Sequence, residues 1–187
     1  MKKILMFLFL TCLFIAQLVA QDSTFSKGDK VLNVGLGLGS LLGSAYTTSF
    51  PPISASLEFG VAELKKGAIG VAPFIGFGSY KYDVYSGHKN YTYIPLGVRG
   101  VFHYPLIKKL DTYAGLLLGY FIVSGTHVGG AVASRGYGSV FIGGRYYFSE
   151  KFAAMLELGA ETVPLHIGVA YKFWFNRYNL DIIQFQY

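Results

Sequence analysis

The chain has 187 residues, a formal net charge of +6 and one cysteine, and 52% of its residues are hydrophobic. A single cysteine excludes an internal disulfide framework, and a modest, scattered positive charge excludes the basic stripe that nucleic-acid binding requires. The length suits one domain of ordinary size.

The chain begins with the layout of a secretory signal peptide. Lys2 and Lys3 precede the apolar run ILMFLFLTCLFIAQLVA, which ends on small residues. The run is short for a membrane anchor, and no basic stop-transfer segment follows it. We therefore expect cleavage after Ala20, which removes residues 1–20 together with Cys12.

The segment VLNVGLGLGSL, residues 31–41, alternates large apolar residues with glycine. Each of its three glycines at 35, 37 and 39 would cost roughly 1 kcal/mol in a helix interior, so a helix is disfavoured. In a strand, one face is apolar and the other is nearly bare. The apolar face carries Leu32, Val34, Leu36 and Leu38.

Runs of about ten alternating residues recur to the end of the chain, and each is long enough for a tilted strand to cross a bilayer. No segment after the leader approaches the length of a membrane helix. The runs are Lys30 to Leu41, Ile53 to Val61, Ala68 to Ser79, Tyr91 to Tyr104, Asp111 to Val123, Tyr137 to Phe148, Phe152 to Glu161 and Pro164 to Phe175. In the fifth, YAGLLLGYFIV permits either phase. Pro73 and Pro95 lie inside runs, where we expect local bulges.

The connections between these runs alternate in length. AELKKG, PLIKKL and SEK are short, whereas the connections at 42–52, 80–90 and from Ser124 onward are long, and the last, around Thr162, is a tight exception. Short turns on one rim and longer loops on the other are typical of a membrane barrel whose chain ends both lie in the periplasm.

Alternation alone does not distinguish a membrane barrel from a soluble lipocalin-like one. The less apolar face decides, because it carries mainly glycine, alanine and about one charge per strand rather than the lysine, glutamate and threonine of a water-facing exterior. Small residues suit the crowded interior of an eight-stranded barrel. We therefore predict an all-β, eight-stranded antiparallel up-and-down transmembrane β-barrel. Its lipid-facing residues include Leu32, Val34, Leu36, Leu38, Leu57, Phe59, Val140 and Ile142.

Aromatic residues near the strand ends predict the girdles that flank the apolar band of a membrane barrel. They are mainly tyrosine, since the chain has 15 tyrosines and one tryptophan. The predicted girdle residues are Tyr80, Tyr91, Tyr104, Tyr146, Phe148, Tyr171 and Phe173.

The inward phase also carries charges, which are costly to bury unless acids and bases meet. We predict a lumenal charge cluster of Glu58, Arg99, Arg145 and Glu157, with Lys172 as a further inward candidate. Such a cluster could be a polar relay or ion path, or a plug that holds the strands in register.

With its leader, eight alternating runs, the segments FIGGRYYF and LHIGVAYKF and its inward charges, the chain resembles the small outer-membrane β-barrel family of the OmpA/OmpX type. The resemblance covers nearly all of the mature sequence and implies an ion-pair network inside a barrel of residues 21–175. The segment NRYNLDIIQFQY, residues 176–187, departs from the family pattern. We interpret it as a periplasmic tail or as a segment paired with the barrel edge.

An enzyme and a narrow pore are the alternatives. His166, with Ser139 and Glu161 as companions, is the best candidate for lipid-modifying chemistry. However, no histidine is followed two residues later by serine, the spacing that resemblance to lipid A deacylases would require. Large inward side chains predict conductance that is at most small and transient. These side chains include Phe74, Tyr93, Phe141 and Tyr147.

We therefore expect a non-enzymatic, monomeric protein of the bacterial outer membrane, with a structural envelope role or loop-mediated binding of an extracellular ligand. No cofactor, metal or nucleic acid is expected. Its partners would be outer-membrane lipid and lipopolysaccharide, whose phosphates could lie near Lys81, Lys89 and Arg135 in the loops.

Overall fold

A computed structural model describes residues 24–39, 46–84, 87–125, 134–159 and 163–173 of the chain. The predicted signal peptide, residues 1–20, and the tail at 176–187 lie outside these described residues. Within them, no helix has the length and apolar character needed to span a membrane.

Eight antiparallel strands follow one another around a closed barrel, which confirms the predicted fold class. The first strand pairs with both the second and the last, so Lys30 lies between Phe59 and Phe173. Closure satisfies the backbone groups that lipid could not. The strands are β1 (Lys30–Leu38), β2 (Tyr46–Leu64), β3 (Gly67–Val84), β4 (Gly87–Ile107), β5 (Leu110–Gly125), β6 (Arg135–Tyr147), β7 (Phe152–Gly159) and β8 (Leu165–Phe173).

The two rims of the barrel differ. The turn end, as we name it, carries residues 65–66, 108–109 and 148–151, which connect β2 to β3, β4 to β5 and β6 to β7. The loop end carries the other four connections. At the loop end, strands β2 to β5 continue well past the ends of β1, β7 and β8.

The extension of β2 to β5 corrects the predicted loops. The structure places residues 46–52, 80–84 and 87–90 in strands, and β4 has 21 residues, or about 70 Å of extended chain. Tyr80 lies opposite Tyr91 in this hairpin, and such aromatic pairs favour strand pairing. A four-stranded sheet therefore projects from the loop end where two long loops were expected.

The expectation of bulges at Pro73 and Pro95 is wrong. Pro73 pairs with Val98 and Pro95 with Phe121 without a shift in register. With the strand on its other side, β2 for Pro73 and β3 for Pro95, each proline lies in a gap where two residue pairs of the ladder are missing. The register is nevertheless the same before and after this gap. The missing donor of a proline faces only one neighbouring strand, so a gap in one ladder is enough to accommodate it. Register shifts occur instead near Pro51, Pro52 and Pro105.

The outer face of the barrel carries the large apolar side chains. Val140 is 62% and Ile142 59% exposed, and Val34, Leu36 and Leu38 are likewise exposed. Leu32, Leu57 and Phe59 are half-buried on the same outward face. In β5 the phase is now clear, because Leu116 is 62% exposed whereas Leu117 is fully buried inside the barrel.

Two of the predicted girdle residues face the wrong way for that role. Tyr80 and Tyr91 are buried inside the barrel, since Tyr80 shares the inward phase of Phe74 along β3. Tyr146, Phe148 and Phe173 are exposed on the outer wall at the turn end. Tyr104 and Tyr171 are half-buried on the outward phase nearby.

Inward-facing glycines make room for large side chains from neighbouring strands. A Cβ atom added to Gly70 would meet the carboxylate of Glu58, and one added to Gly143 would lie 2.7 Å from the ring of Tyr113. Larger residues at these positions would displace the side chains that fill the lumen.

Replacing Leu116 with arginine tests which face meets lipid. In a membrane barrel, arginine on the lipid face near the bilayer midplane should destabilise the fold by about 2–4 kcal/mol. We expect this loss in urea titrations of the protein refolded in lipid vesicles, with Leu116→Ile as the control. An unchanged midpoint for the arginine variant would indicate a water-facing exterior.

Candidate functional site

The lumen of the barrel at the turn end is organised around Arg145, which is fully buried. Its guanidinium donates to Asp111 from Nε at 2.9 Å and from Nη2 at 2.5 Å. Its Nη1 donates to Glu58 at 3.0 Å and to the amide oxygen of Asn33 at 3.1 Å. One side chain of β6 thus links β1, β2 and β5 across the barrel.

His103 completes this group. Its Nδ1 lies 2.8 Å from Asp111, and its Nε2 contacts Glu58. A ring nitrogen that donates to a carboxylate must carry a proton, so two facing carboxylates favour the doubly protonated, cationic form of His103. Arg145 and His103 therefore share the same two carboxylates.

A second ion pair lies further along the lumen. Arg99 Nη2 donates to Glu157 at 2.5 Å, and the hydroxyl of Tyr113 donates to the same carboxylate at 3.1 Å. The guanidinium carbon of Arg99 is 3.8 Å from the centroid of the Phe141 ring, a cation–π geometry. Tyr113 also lies beside Arg145 and so connects the two groups.

The structure brings the four predicted cluster residues together as two pairs, Glu58 with Arg145 and Glu157 with Arg99. The predicted cluster included neither His103 nor Asp111. Asp111 directly follows a lysine-rich turn and was counted only as a strand end. Asp111 has the same inward phase along β5 as Tyr113, and this phase could have indicated that Asp111 belongs to the cluster.

Three carboxylates, two guanidiniums and the imidazole of His103 thus lie together in the lumen, and protonation of His103 balances their charges. Balance matters because an unpaired buried charge costs several kcal/mol. We name these residues the lumenal network: Glu58, Arg99, His103, Asp111, Arg145 and Glu157.

An N-terminal segment, Thr24 to Asp29, closes the turn end beneath this network. Phe25 is fully buried, and its ring stacks on His103 with centroids 4.0 Å apart. Gly28 and Asp29 extend the backbone pairing to Gly60 with two hydrogen bonds of 2.9 Å.

Lys172 holds the same segment from β8. Its Nζ lies 2.7 Å from Asp29 and donates to the carbonyl of Thr24 at 3.0 Å. Lys172, the fifth inward candidate, thus binds this segment, and the structure does not bring it into the lumenal network. Sequence reasoning assigned Phe25 no role.

Aromatic rings fill the lumen towards the loop end. Phe121 stacks on Tyr137 with centroids 3.8 Å apart, and Tyr93 meets both Tyr80 and Phe121 edge-on. Between this layer and the network lies a cavity of about 10 Å³, bordered by His166, Phe74 and Tyr93, which is room for about one water molecule.

The candidate catalytic residues are not brought into a working arrangement within the described part of the chain. His166 is buried, and its Nδ1 has no hydrogen-bond partner there. The hydroxyl of Ser139 donates to the carbonyl of Val140 at 3.3 Å. Glu161 lies outside the described residues. No group of three histidine, cysteine, aspartate or glutamate side chains in that part is placed to hold a metal ion.

Several solved structures with the same architecture are outer-membrane proteins. OprG from Pseudomonas aeruginosa is 10% identical in sequence with a TM-score of 0.56, and the match covers 81% of this chain and 99% of that one. Ail of Yersinia pestis, solved with the heparin analogue sucrose octasulfate, is 11% identical with a TM-score of 0.50 over 79% and 99% of the two chains. AlkL, solved in DMPC lipid bilayers, is 16% identical with a TM-score of 0.51 over 84% and 95%.

The chain has the fold of the small eight-stranded outer-membrane β-barrels. This confirms the predicted resemblance to the OmpA/OmpX type at the level of fold. No family model and no curated protein sequence matches the chain.

Proposed function

We propose that this chain is an exported, non-enzymatic outer-membrane barrel with a closed lumen, which acts as a structural element of the envelope and binds partners at its loop end. The leader is removed after Ala20, and both chain ends lie in the periplasm. The filled lumen is the observation that carries this proposal.

The lumen is obstructed at three levels along the described part of the barrel. Phe25 covers the turn end, the lumenal network ties the opposite walls together, and the rings of Tyr93, Phe121 and Tyr137 pack across the other half. A water-filled channel needs a continuous polar path, which these layers interrupt. The network therefore acts as a plug that fixes strand register, in preference to an ion path.

Hydrogen bonding in the lumen supports a non-enzymatic role. Nucleophilic catalysis needs a base within hydrogen-bond reach of the nucleophile. The hydroxyl of Ser139 is bonded to backbone and not to His166. The histidine of the network, His103, is held between two carboxylates with no hydroxyl nucleophile in the set.

Binding is assigned to the loop end because of the projecting sheet. Strands β2 to β5 extend this surface beyond the rest of the barrel, and recognition commonly lies on segments held by a rigid scaffold. Exposed Lys81 and Arg135 are available there for contact with lipopolysaccharide phosphates; the side chain of Lys89 lies outside the described residues.

Planar-bilayer recordings of the refolded full-length protein test the closed lumen. We expect at most brief, small current steps, because no ion can pass the network without breaking buried ion pairs. A porin in the same bilayers is the control for insertion and detection. Stable, long-lived channels from the protein would contradict the proposal.

A further inference from the structure

Lysine residues are concentrated at the turn end of the barrel. The three connections at this rim carry five exposed lysines, and the exposed carboxylates beside them are Glu63 and Glu150. None of these five lysines forms an ion pair with another described residue. The five are Lys65, Lys66, Lys108, Lys109 and Lys151.

Three of these lysines come from two turns that are held together. Lys108 and Lys109 form the β4–β5 turn, and the carbonyl of Lys109 accepts a hydrogen bond of 2.8 Å from the N–H of Tyr147 at the end of β6. The β6–β7 turn follows at once, and Ser149 Oγ folds it back by accepting from the N–H of Phe152 at 2.9 Å. Lys151 is in this second turn.

Aromatic residues on the outer wall mark the depth of these lysines in the membrane. Tyr146, Phe148 and Phe152 are exposed just inside the same two turns, and Phe148 stacks on Phe152. Such rings occupy the interface between hydrocarbon and headgroups. Lys108, Lys109 and Lys151 therefore lie at the depth of lipid phosphates.

An apolar groove of about 550 Å³ begins directly above these lysines on the outer wall of β5, β6 and β7. Leu110 and Tyr146 border its lower end, and Ile142 and Leu158 its upper end. Its floor is low because the outward residue in the middle of β6 is Gly144. The groove spans about four residues, or about 13 Å along the strand, the length of a substantial part of an acyl chain.

We propose that this groove and the lysines below it form a binding site for one anionic glycerophospholipid of the periplasmic leaflet. An acyl chain lies in the groove, and the phosphate lies among Lys108, Lys109 and Lys151. Charge complementarity selects an anionic lipid, because each lysine near a membrane surface favours one. The inference rests on the proposed orientation, in which the turn end faces the periplasm.

Gly144 offers a way to fill the groove without disturbing the barrel. A Cβ atom at this position would meet only ordinary contacts, 3.5 Å to Leu110 and 3.8 Å to the carbonyl of Asp111. Gly138, three outward positions earlier on the same strand, has similar room and lies nearer the loop end. Gly144→Phe therefore blocks the site, and Gly138→Phe is its matched control.

Native mass spectrometry of the full-length protein, released from nanodiscs containing equal phosphatidylglycerol and phosphatidylcholine, measures the preference for anionic lipid. The triple variant Lys108→Gln, Lys109→Gln, Lys151→Gln should lose this preference by about tenfold or more, since each lysine near the surface contributes about 1 kcal/mol. Gly144→Phe should abolish the tightly held lipid. Gly138→Phe and the double variant Lys65→Gln, Lys66→Gln should retain it.

Two results would overturn the site. If the Lys65 and Lys66 variant loses the preference as much as the triple variant, the rim attracts anionic lipid without a site. If Gly144→Phe retains the lipid, the groove plays no part. Conductance measured on the same samples distinguishes a failure of the lipid site from a failure of the proposed function. A closed barrel without a preference for anionic lipid refutes only the site. A conducting barrel that keeps this preference refutes only the plug.

Discussion

Replacing Arg145 with methionine is expected to destabilise the folded barrel by about 3–5 kcal/mol, because it leaves Glu58 and Asp111 buried without their guanidinium partner. Methionine keeps much of the volume of the side chain, so the loss reports charge and hydrogen bonding more than packing. Urea titration in lipid vesicles, with the folded fraction read from heat-modifiable gel migration, measures the effect.

The matched control is Arg135→Met, which changes an exposed arginine on the same strand and should shift the free energy of unfolding by less than about 0.5 kcal/mol. Neutralising the stranded acids should also restore part of the stability, since Glu58→Gln and Asp111→Asn remove the uncompensated charges. If the Arg145 variant were as stable as the Arg135 variant, the network would not hold the barrel together.

Replacing Phe25 with alanine should cost about 3–5 kcal/mol, the usual cost of removing a fully buried aromatic ring. The ring lies against His103 and beneath Arg145, so its loss opens the turn end of the lumen to water. Urea titration under the same conditions measures the stability. Hydrogen exchange of the backbone amide of His103 reports the opening.

Phe148→Ala is the control for this second prediction. Phe148 is 61% exposed at the same end of the barrel, so it loses interfacial contact with lipid but leaves no cavity. Its effect should be clearly smaller than that of Phe25→Ala. Equal losses from the two variants would mean that Phe25 serves as an interfacial anchor and not as the closure of the lumen.

Taken with the Arg145 variant, Phe25→Ala separates two contributions to the closed lumen. Arg145 of the lumenal network links strands that are far apart in sequence, since its hydrogen-bond partner Asn33 lies 112 positions earlier in the chain. Phe25 instead uses a segment outside the barrel wall. If the barrel stays stable without Phe25 but not without Arg145, contacts among the strands account for its stability.

Alternating residues were sufficient to determine the strand number, the antiparallel order and the outward-facing phase of most strands. The reason is that the side chains alternate with a period of two in eight segments, large on one face and small on the other, and few other folds fit this pattern. The same phase placed Glu58, Arg99, Arg145 and Glu157 inside the barrel. Where both faces were apolar, as in β5, phase could not be determined from sequence.

Only the tertiary structure decided which inward residues meet and where the strands end. The pairing of Arg145 with Glu58 and of Arg99 with Glu157 depends on the stagger of strands around the closed barrel, which local patterns do not contain. Phe25 precedes β1 and has no alternating neighbours, so its burial follows only from the space beneath His103. The extension of β3 and β4 likewise depends on cross-strand partners such as Tyr80 and Tyr91, because strand pairing is stabilised by contacts between segments.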